Sequence, residues 1–526
     1  MQTKSNTTAT LYCPNSDCRC PNPEFHNFCQ KCRTPLLKRY LWVVGQGIKN
    51  YRVGELLQDR FLTKSAKVLL DTQPNLPVNA KLSISNAVEP YFKLFPHYPH
   101  IPQVYGFLHL DEEQPSRNLL LLEQAPLGQR DLPKNLDSEL NIGSALPLEA
   151  AWQSASTLRQ LNWLWQIAQL WQPLSEQKVV SSLLHPELLR VEGSLVRLLE
   201  LHLDEKLAPT LAQLGQAWLR LLPGAQAAIA VALEVLCQRL ISGQIQTIEP
   251  LVEQLEQWLT RVGQARTYEI EVATRTDKGP TRKRNEDACY PTPSETTTRS
   301  PLTVVCDGMG GHAGGDVASS LAIQAVTQYL QGIQLEAATP KEIMGELEKA
   351  INIANDLISQ HNNNQQQEGT QRMGTTLVIA LAHAHQMYIA HVGDSRVYWV
   401  TRTGCYQITT DDNIASQWVR VGYGCYRDIR HNRTAAQLVQ ALGVTSSTTL
   451  RPTVQRFIVD EDCIFLLCSD GLSDHDRVEE HWETEILPVL NGQVNLAIAS
   501  KWLVELANRK NGHDNVTVSL VYCKVS

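Results

Sequence analysis

No apolar run in this sequence approaches the roughly 18 residues that a membrane-spanning helix needs. The opening stretch MQTKSNTTATLYCPNSDC is polar and lacks the apolar core of a secretory signal. These two absences lead us to expect a cytoplasmic protein with no membrane partner. An excess of basic charge is also missing: Lys and Arg total 47 against 54 Asp and Glu, for a formal net charge of -7. Without a basic field there is no electrostatic case for a nucleic-acid partner, and a metal-dependent nuclease is disfavoured with it. There is no internal repeat, which excludes a repeat array. Low-complexity sequence is confined to HNNNQQQEG, residues 361–369, which reads as a solvated loop between a helix and a strand.

The chain does have enough apolar residues, 43% of 526, to build more than one core, so two or three folded units are expected. The texture divides it into 1–38, which holds a cysteine cluster, then 39–262, then 268–526. The middle stretch is Leu-, Gln- and Trp-rich, with helical spacing clearest in WQSASTLRQLNWLWQIAQLW and EPLVEQLEQWLTRV. A mainly α or α+β middle domain follows, with Trp152, Trp163, Trp165 and Trp171 as core. Beyond Arg266, short apolar runs ending in Gly and Asp alternate with helical stretches, as in LTVVCDGMGG, TTLVIALAH, QMYIAHVGDS and CIFLLCSDG. That pattern predicts a sheet-rich α/β domain.

Of the 13 cysteines, five lie between Cys13 and Cys32, while the rest sit singly, mostly in apolar runs where they serve as small hydrophobes. A disulfide framework does not suit a chain of this length without an export signal. A polar segment as short as 13–32 offers no core to bury thiols. Four thiolates around one structural Zn²⁺ would supply the stability it cannot draw from apolar burial. Cys13, Cys18, Cys29 and Cys32 are the expected ligands, with Cys20 competing and His26 between the pairs; the pattern resembles a zinc ribbon. A closed four-sulfur site leaves a structural or partner-contacting role.

In the C-terminal part, acids recur at strand ends: Asp307 after VVC, Asp394 after AHVG, Asp470 after LLCS, Asp287 after TRKRNE, and Asp514 just before VTVSLVY. Each Asp-Gly pair alone is a turn former. Together, several strand-end carboxylates with no neighbouring His or Cys site suit a hard cation such as Mg²⁺ or Mn²⁺.

The segments RKRNED, CDGMGGHAGGDVAS, MGTT, AHVGDSRVY, CSDGLSD and HDNVTV occur in the order found in the PPM, or type 2C, metal-dependent protein serine/threonine phosphatases. The likeness covers about Tyr268 to Ser526, and DGMGGH resembles the bacterial branch. It implies a four-layer αββα sandwich that hydrolyses phosphoserine and phosphothreonine in proteins with water activated between two Mg²⁺ or Mn²⁺ ions. Carried over by position, Asp307 would bridge the ions, and the Gly308 carbonyl, Asp470 and Asp514 would complete the first shell. Asp287 would face the second ion, Glu286 would hold its waters, and Arg282 would grip the phosphate as a planar fork. Asp394 with Asp470 can hold a third, weaker ion. Lys283 and Arg284 read as solvent charges. Met309 stands where one branch has a histidine, and His312 follows within a tight glycine turn, so a metal-bound water is the expected acid for the leaving group. Residues 408–443 resemble the flap of this family.

Three middle segments, HIPQVYGFLHL, NLLLLEQAPLG and VVSSLLHPELLRVEGSLVRLLELHL, resemble in order the strands, hinge and catalytic segment of a protein kinase. Laid on that pattern, the catalytic and metal-binding positions fall on Leu183, Leu188 and near Glu200. There is no glycine-rich loop near Tyr51 and no lysine in VLLDT, which excludes kinase chemistry. A pseudokinase-like binding domain and an unrelated helical domain both fit. The expectation is therefore a phosphatase instructed by its N-terminal half, with regulatory partners there; the alternative is a silent adaptor that uses the phosphatase-like domain for recognition.

Overall fold

The structure is a computed structural model that describes residues 10–45, 48, 51–78, 86–109, 118–128, 131, 145–205, 207–310, 314–335, 338–429, 432 and 434–526. The chain forms two compact units, one of residues 1–259 with 418–433, the other of 260–417 with 434–526. Among the described residues no helix is long and apolar enough to cross a membrane.

The first unit opens with a hairpin of Thr10–Tyr12 and Pro21–Pro23 around the cysteine cluster. A six-stranded antiparallel sheet follows, ordered Leu56–Leu57, Phe61–Thr63, Val68–Asp71, Arg39–Val44, Asn118–Glu123, Gln103–His109. Its strands are rich in Leu and Val, and Leu41, Val43, Leu69, Leu119 and Leu121 bury one face completely or nearly so. Asp71 is fully buried there. Arg60 holds it with two parallel bonds of 2.9 and 2.7 Å, and the Tyr105 hydroxyl adds a third at 2.5 Å. Such multiple donation is what allows a carboxylate to be buried.

Helices come after the sheet. Thr157–Glu176 starts where the Ser156 hydroxyl accepts the Arg159 N–H and buries Trp163, Trp165 and Trp171 along its length, so the tryptophans are packing residues. Helices Leu211–Leu219, Ala227–Ile241 and Ile248–Gly263 complete this half. At the positions aligned with kinase chemistry, Leu183 and Leu188 are buried, and Glu200 accepts the Trp42 indole N–H at 2.6 Å.

Residues 418–433, which the sequence reading placed in the C-terminal domain, pack inside this first unit. Tyr426 lies 5.6 Å ring to ring from Phe95. The Arg427 guanidinium sits 4.5 Å over the Tyr105 ring, and its Nη2 donates to the Leu76 carbonyl at 3.2 Å.

The second unit holds two five-stranded antiparallel sheets. One runs Tyr268–Asp277, Val516–Val525, Cys463–Cys468, Arg396–Val400, Cys405–Gln407. The other runs Ala288–Tyr290, Leu302–Cys306, Leu377–His383, Gln386–Val392, Thr453–Ile458. Trp399 and Phe465 of the first sheet stack at 5.9 Å, and Phe457 of the second meets them at 5.4 and 6.3 Å, so the sheets face each other. Their outer faces are covered by helices. Gly315–Gln331 and Pro340–Asn364 share one core with the second sheet, while Leu496–Lys510 and its shorter neighbours share another with the first. The result is αββα. Being covered on both faces, LTVVC and CIFLLC are buried at every position and show no polar alternation.

Helix Pro340–Asn364 begins at a reciprocal cap between Thr339 and Glu342, with Pro at its first position. It takes in the first four residues of HNNNQQQEG, 361–364, while most of the stretch is exposed as expected; Asn362 is the exception. Asn362 is fully buried, donating to the Met373 and Gly443 carbonyls at 2.9 and 3.1 Å and accepting from Met373 N–H. Polar sequence can be internal when its hydrogen bonds are met.

Candidate active site

Strand ends on one edge of the sandwich bring the acids together. Asp307 follows Leu302–Cys306, Asp470 follows Cys463–Cys468, Asp394 lies in the turn after Gln386–Val392, Asp287 precedes Ala288–Tyr290, and Asp514 precedes Val516–Val525. A cleft of about 660 Å³ is lined by Arg282, Glu286, Asp307, Gly308, Asp394, Asp470 and Asp514, and also by Lys283, Arg284 and Met309. Asp287 sits behind this lining, 9% exposed. His312 lies outside the described residues.

Asp307, Asp287 and Asp514 are fixed by contacts far away in sequence. The Asp307 backbone is clamped: its N–H donates to Thr376 Oγ1 at 3.0 Å, and its carbonyl accepts from Thr376 N–H and Thr375 Oγ1, both at 2.9 Å. Thr376 in turn shares a 2.7 Å bond with Ser395. Asp287 Oδ2 accepts from Ser469 Oγ at 2.8 Å, and that hydroxyl accepts Thr517 N–H at 2.9 Å. Asn515 ties down the RKRNED loop by donating to the Lys278 and Arg284 carbonyls at 2.8 and 2.9 Å and accepting Glu286 N–H at 2.9 Å. Arg282 bonds Asp514 at 2.6 Å and the His513 carbonyl at 3.1 Å, yet its side chain stays 51% exposed. Gly308 has no room for a side chain, since a Cβ there would stand 2.2 Å from the Gly315 carbonyl.

Ser469, Thr376, Ser395 and Asn515 were given no role by the sequence reading. All four lie inside the quoted motifs CSDG, MGTT, VGDSR and HDNVTV, which was the available signal.

Crowding the acids has an electrostatic consequence. Burial first, and then the neighbouring Asp514, push Asp287 up to about 6. Burial, then Asp474 and Asp514, push Asp470 up to about 7. Asp307 and Asp394 are driven well above the carboxylate range by burial and by the acids around them. Asp287 Oδ1 and Asp470 Oδ1 are buried without a hydrogen-bond partner. Carboxylates with orphaned buried oxygens and mutual repulsion are matched by divalent cations taking oxygen ligands, so the residues present fit such ions.

The cysteine cluster is tighter. Among the described residues, Cys13, Cys18, Cys29 and Cys32 are the one group of three or more potential ligands whose donor atoms all lie within 4.8 Å of one another. Cys13 and Cys32 sulfurs are 3.4 Å apart, Cys18 and Cys29 sulfurs 3.8 Å. Burial acts upward on the Cys29 thiol, but the Cys32 and Lys31 backbone N–H groups and the Asn22 amide outweigh it, bringing it down to about 6. Cys20 points instead to the Pro21 carbonyl, and His26 bonds Gln30.

With this geometry in place, comparison with known proteins is direct. The family model "Protein phosphatase 2C" matches residues 280–506. Serine/threonine phosphatase stp of Listeria monocytogenes serotype 4b is 33% identical over 249 residues, which span 47% of this chain and 93% of that protein. Serine/threonine protein phosphatase PstP of Mycobacterium tuberculosis is 31% identical over 253 residues, 48% of this chain and 45% of that protein. The solved catalytic domain of PstP in complex with 2 manganese ions is 31% identical, covering 49% of this chain and all of that one, at a TM-score of 0.40. The chain belongs to the protein phosphatase 2C family through its C-terminal half, and is by class a protein serine/threonine phosphatase.

Proposed function

We propose that this chain hydrolyses phosphoserine and phosphothreonine in proteins at a binuclear Mg²⁺ or Mn²⁺ centre in the acid-lined cleft, under the control of its N-terminal domains. The observation that carries the reading is the gathering of Asp307, Asp470, Asp514 and Asp287 at one sandwich edge beside the exposed fork of Arg282. Asp307 would lie between the ions, with the Gly308 carbonyl, Asp470 and Asp514 on one and Asp287 with Glu286 toward the other; Asp394 with Asp470 would serve a third. Bound there, the ions would supply a water acidified toward neutrality and a positive clamp on the phosphoryl oxygens. Arg282 orients the substrate by pairing its fork with two phosphate oxygens, and its contacts to Asp514 and the His513 carbonyl hold that fork at the metal edge. Ser469 holds the Asp287 carboxylate in place, and Thr376 fixes the backbone from which Asp307 projects. Met309 has no proton to give, so the side chain at that position cannot protonate the leaving alkoxide.

The four-cysteine cluster would hold a structural Zn²⁺ in a zinc-ribbon module, supported by the mutual proximity of its sulfurs. The sheet followed by helices in 39–262 would be a pseudokinase-like regulatory domain that binds partners without phosphoryl transfer, since Leu183 and Leu188 occupy the positions where that chemistry needs polar groups. No observation favours the silent-adaptor alternative.

The test is release of phosphate from a phosphothreonine peptide by the full chain. Turnover should require Mn²⁺ or Mg²⁺, stop with chelator, and be lost in Asp307→Asn. Full turnover in chelator, or in that variant, would overturn the two-metal reading.

A further inference from the structure

Arg282 is followed by Lys283 and Arg284, and all three line the cleft. As sequence, the latter two read as solvent charges; the structure gives them a place at the mouth of the site. Their backbone is pinned on both sides. Thr281 Oγ1 donates to the Gly512 carbonyl at 2.9 Å, Asn515 Nδ2 donates to the Arg284 carbonyl at 2.9 Å, and Glu286 N–H donates to Asn515 Oδ1 at 2.9 Å. The loop is thereby stitched to the turn that carries Asp514, so the side chains of 283 and 284 project from a fixed base beside the phosphate-facing Arg282.

The charges of Lys283 and Arg284 are not paired internally, although Arg284, with Arg282, works through space against the burial and the Asp316 charge that raise Glu286. Arg282 has Asp514 as its partner at 2.6 Å. Among the described residues, neither Lys283 nor Arg284 has a hydrogen-bond or ion-pair partner for its side chain, and both are exposed. Ala436 and Leu438 also line the cleft and give it an apolar side. With the transferred phosphate assigned to Arg282 and the ions, two cations remain over at the rim.

Resting on the phosphatase reading above, we propose that Lys283 and Arg284 are specificity-determining residues that select phosphoprotein segments carrying a second anionic group close to the phosphoresidue. That group can be a carboxylate or another phosphate. Rim charges of this kind act on encounter and on selection among partners more than on the bond-breaking step, and their effect falls as salt screens them.

The experiment uses the full chain with Mn²⁺ and four phosphothreonine peptides of one backbone. The first has neutral flanks, the second and third have glutamates before or after the phosphoresidue, and the fourth carries a second phosphoresidue. At low salt the wild type should favour at least one anionic peptide over the neutral one by about three- to tenfold in kcat/KM, the range set by one or two exposed ion pairs. This preference should shrink at high ionic strength. Lys283→Ala with Arg284→Ala should bring the ratio near one, and Lys283→Glu with Arg284→Glu should invert it, with thermal melting of both variants matching the wild type. The glutamate and phosphate arms distinguish the source of the anion. Equal kcat/KM on all four peptides in the wild type, or a preference that survives charge reversal in a folded variant, would overturn the proposal. Failure to release phosphate from any peptide would instead overturn the phosphatase reading on which it rests.

Discussion

Replacing Asp287 by asparagine should make the metal-free protein more stable while destroying its activity. The side chain is 9% exposed, its Oδ2 is held by Ser469, and its Oδ1 is buried with no partner. Burial and Asp514 raise its pKa from 3.8 to about 6. Because the folded state holds the proton more tightly than the unfolded chain, stability is lost as pH rises. The loss begins near pH 3.8, grows until about pH 6 and is constant above. At 1.36 kcal/mol per pH unit the full effect is about 3 kcal/mol. Asparagine keeps the shape, removes the charge and adds an N–H₂ beside the other acids. In chelator at pH 8, Asp287→Asn should therefore melt on the order of 6–12 °C above wild type, at about 2–4 °C per kcal/mol for a unit of this size. At pH 4 the two should coincide. Added Mn²⁺ should reverse the order, because binding stabilises only a site able to hold the ion, and phosphopeptide turnover by the variant should fall by about 10²-fold or more. Calorimetry of the full chain with and without chelator, at both pH values, reads all of this. A chelated variant melting at or below wild type at pH 8, or a gap that ignores pH, would refute the electrostatic reasoning.

Arg282→Ala should lower kcat/KM on phosphopeptides by about 10²-fold, and Arg282→Lys should recover only part of it, because a point charge cannot pair two phosphate oxygens at once; steady-state kinetics on the full chain decide this. Elemental analysis of the dialysed full chain should find one zinc per molecule, with Cys29→Ser losing it and opening residues 10–36 to protease; a zinc-free wild type would remove the ribbon reading. His385, 1% exposed, is pushed down to about 4, first by burial and then by Arg456 and His383. Folding therefore favours its neutral form, and about 3 kcal/mol of stability present above pH 6.5 should disappear as pH falls toward 4. Melting of wild type between pH 7 and 4.5 should drop more steeply than that of His385→Leu.

The cleft acids were legible because each sits in a short motif at a strand end, where a turn residue and a ligand have the same local signature and only their order along the chain separates the two. What holds them was not. Asn515 reaches back to Lys278 and Arg284, and Ser469 reaches Asp287, across more than 180 positions; no local pattern encodes such pairings. In the middle domain, runs such as NLLLLE and RYLWVV lack alternation, so helix and strand could not be separated by period, and the six-stranded sheet was visible only as a mixed start. HNNNQQQEG was legible as solvated except at Asn362, whose amide is buried because it finds backbone partners inside, which composition alone does not show.

Residues 418–433 set a condition on how the chain can be made. The contact of Arg427 with Leu76 closes a loop of 351 positions, so the first unit cannot acquire its last piece until the ribosome has passed residue 433. By then, the strands from Tyr268–Asp277 to Cys405–Gln407 have already been synthesised. Domain-by-domain folding from the N-terminus is thus interrupted, and closure over so long a loop is slow. Cutting the chain ahead of Tyr268 would separate Tyr426 and Arg427 from Phe95, Tyr105 and Leu76. A catalytic fragment made that way would carry an orphaned segment through its whole synthesis.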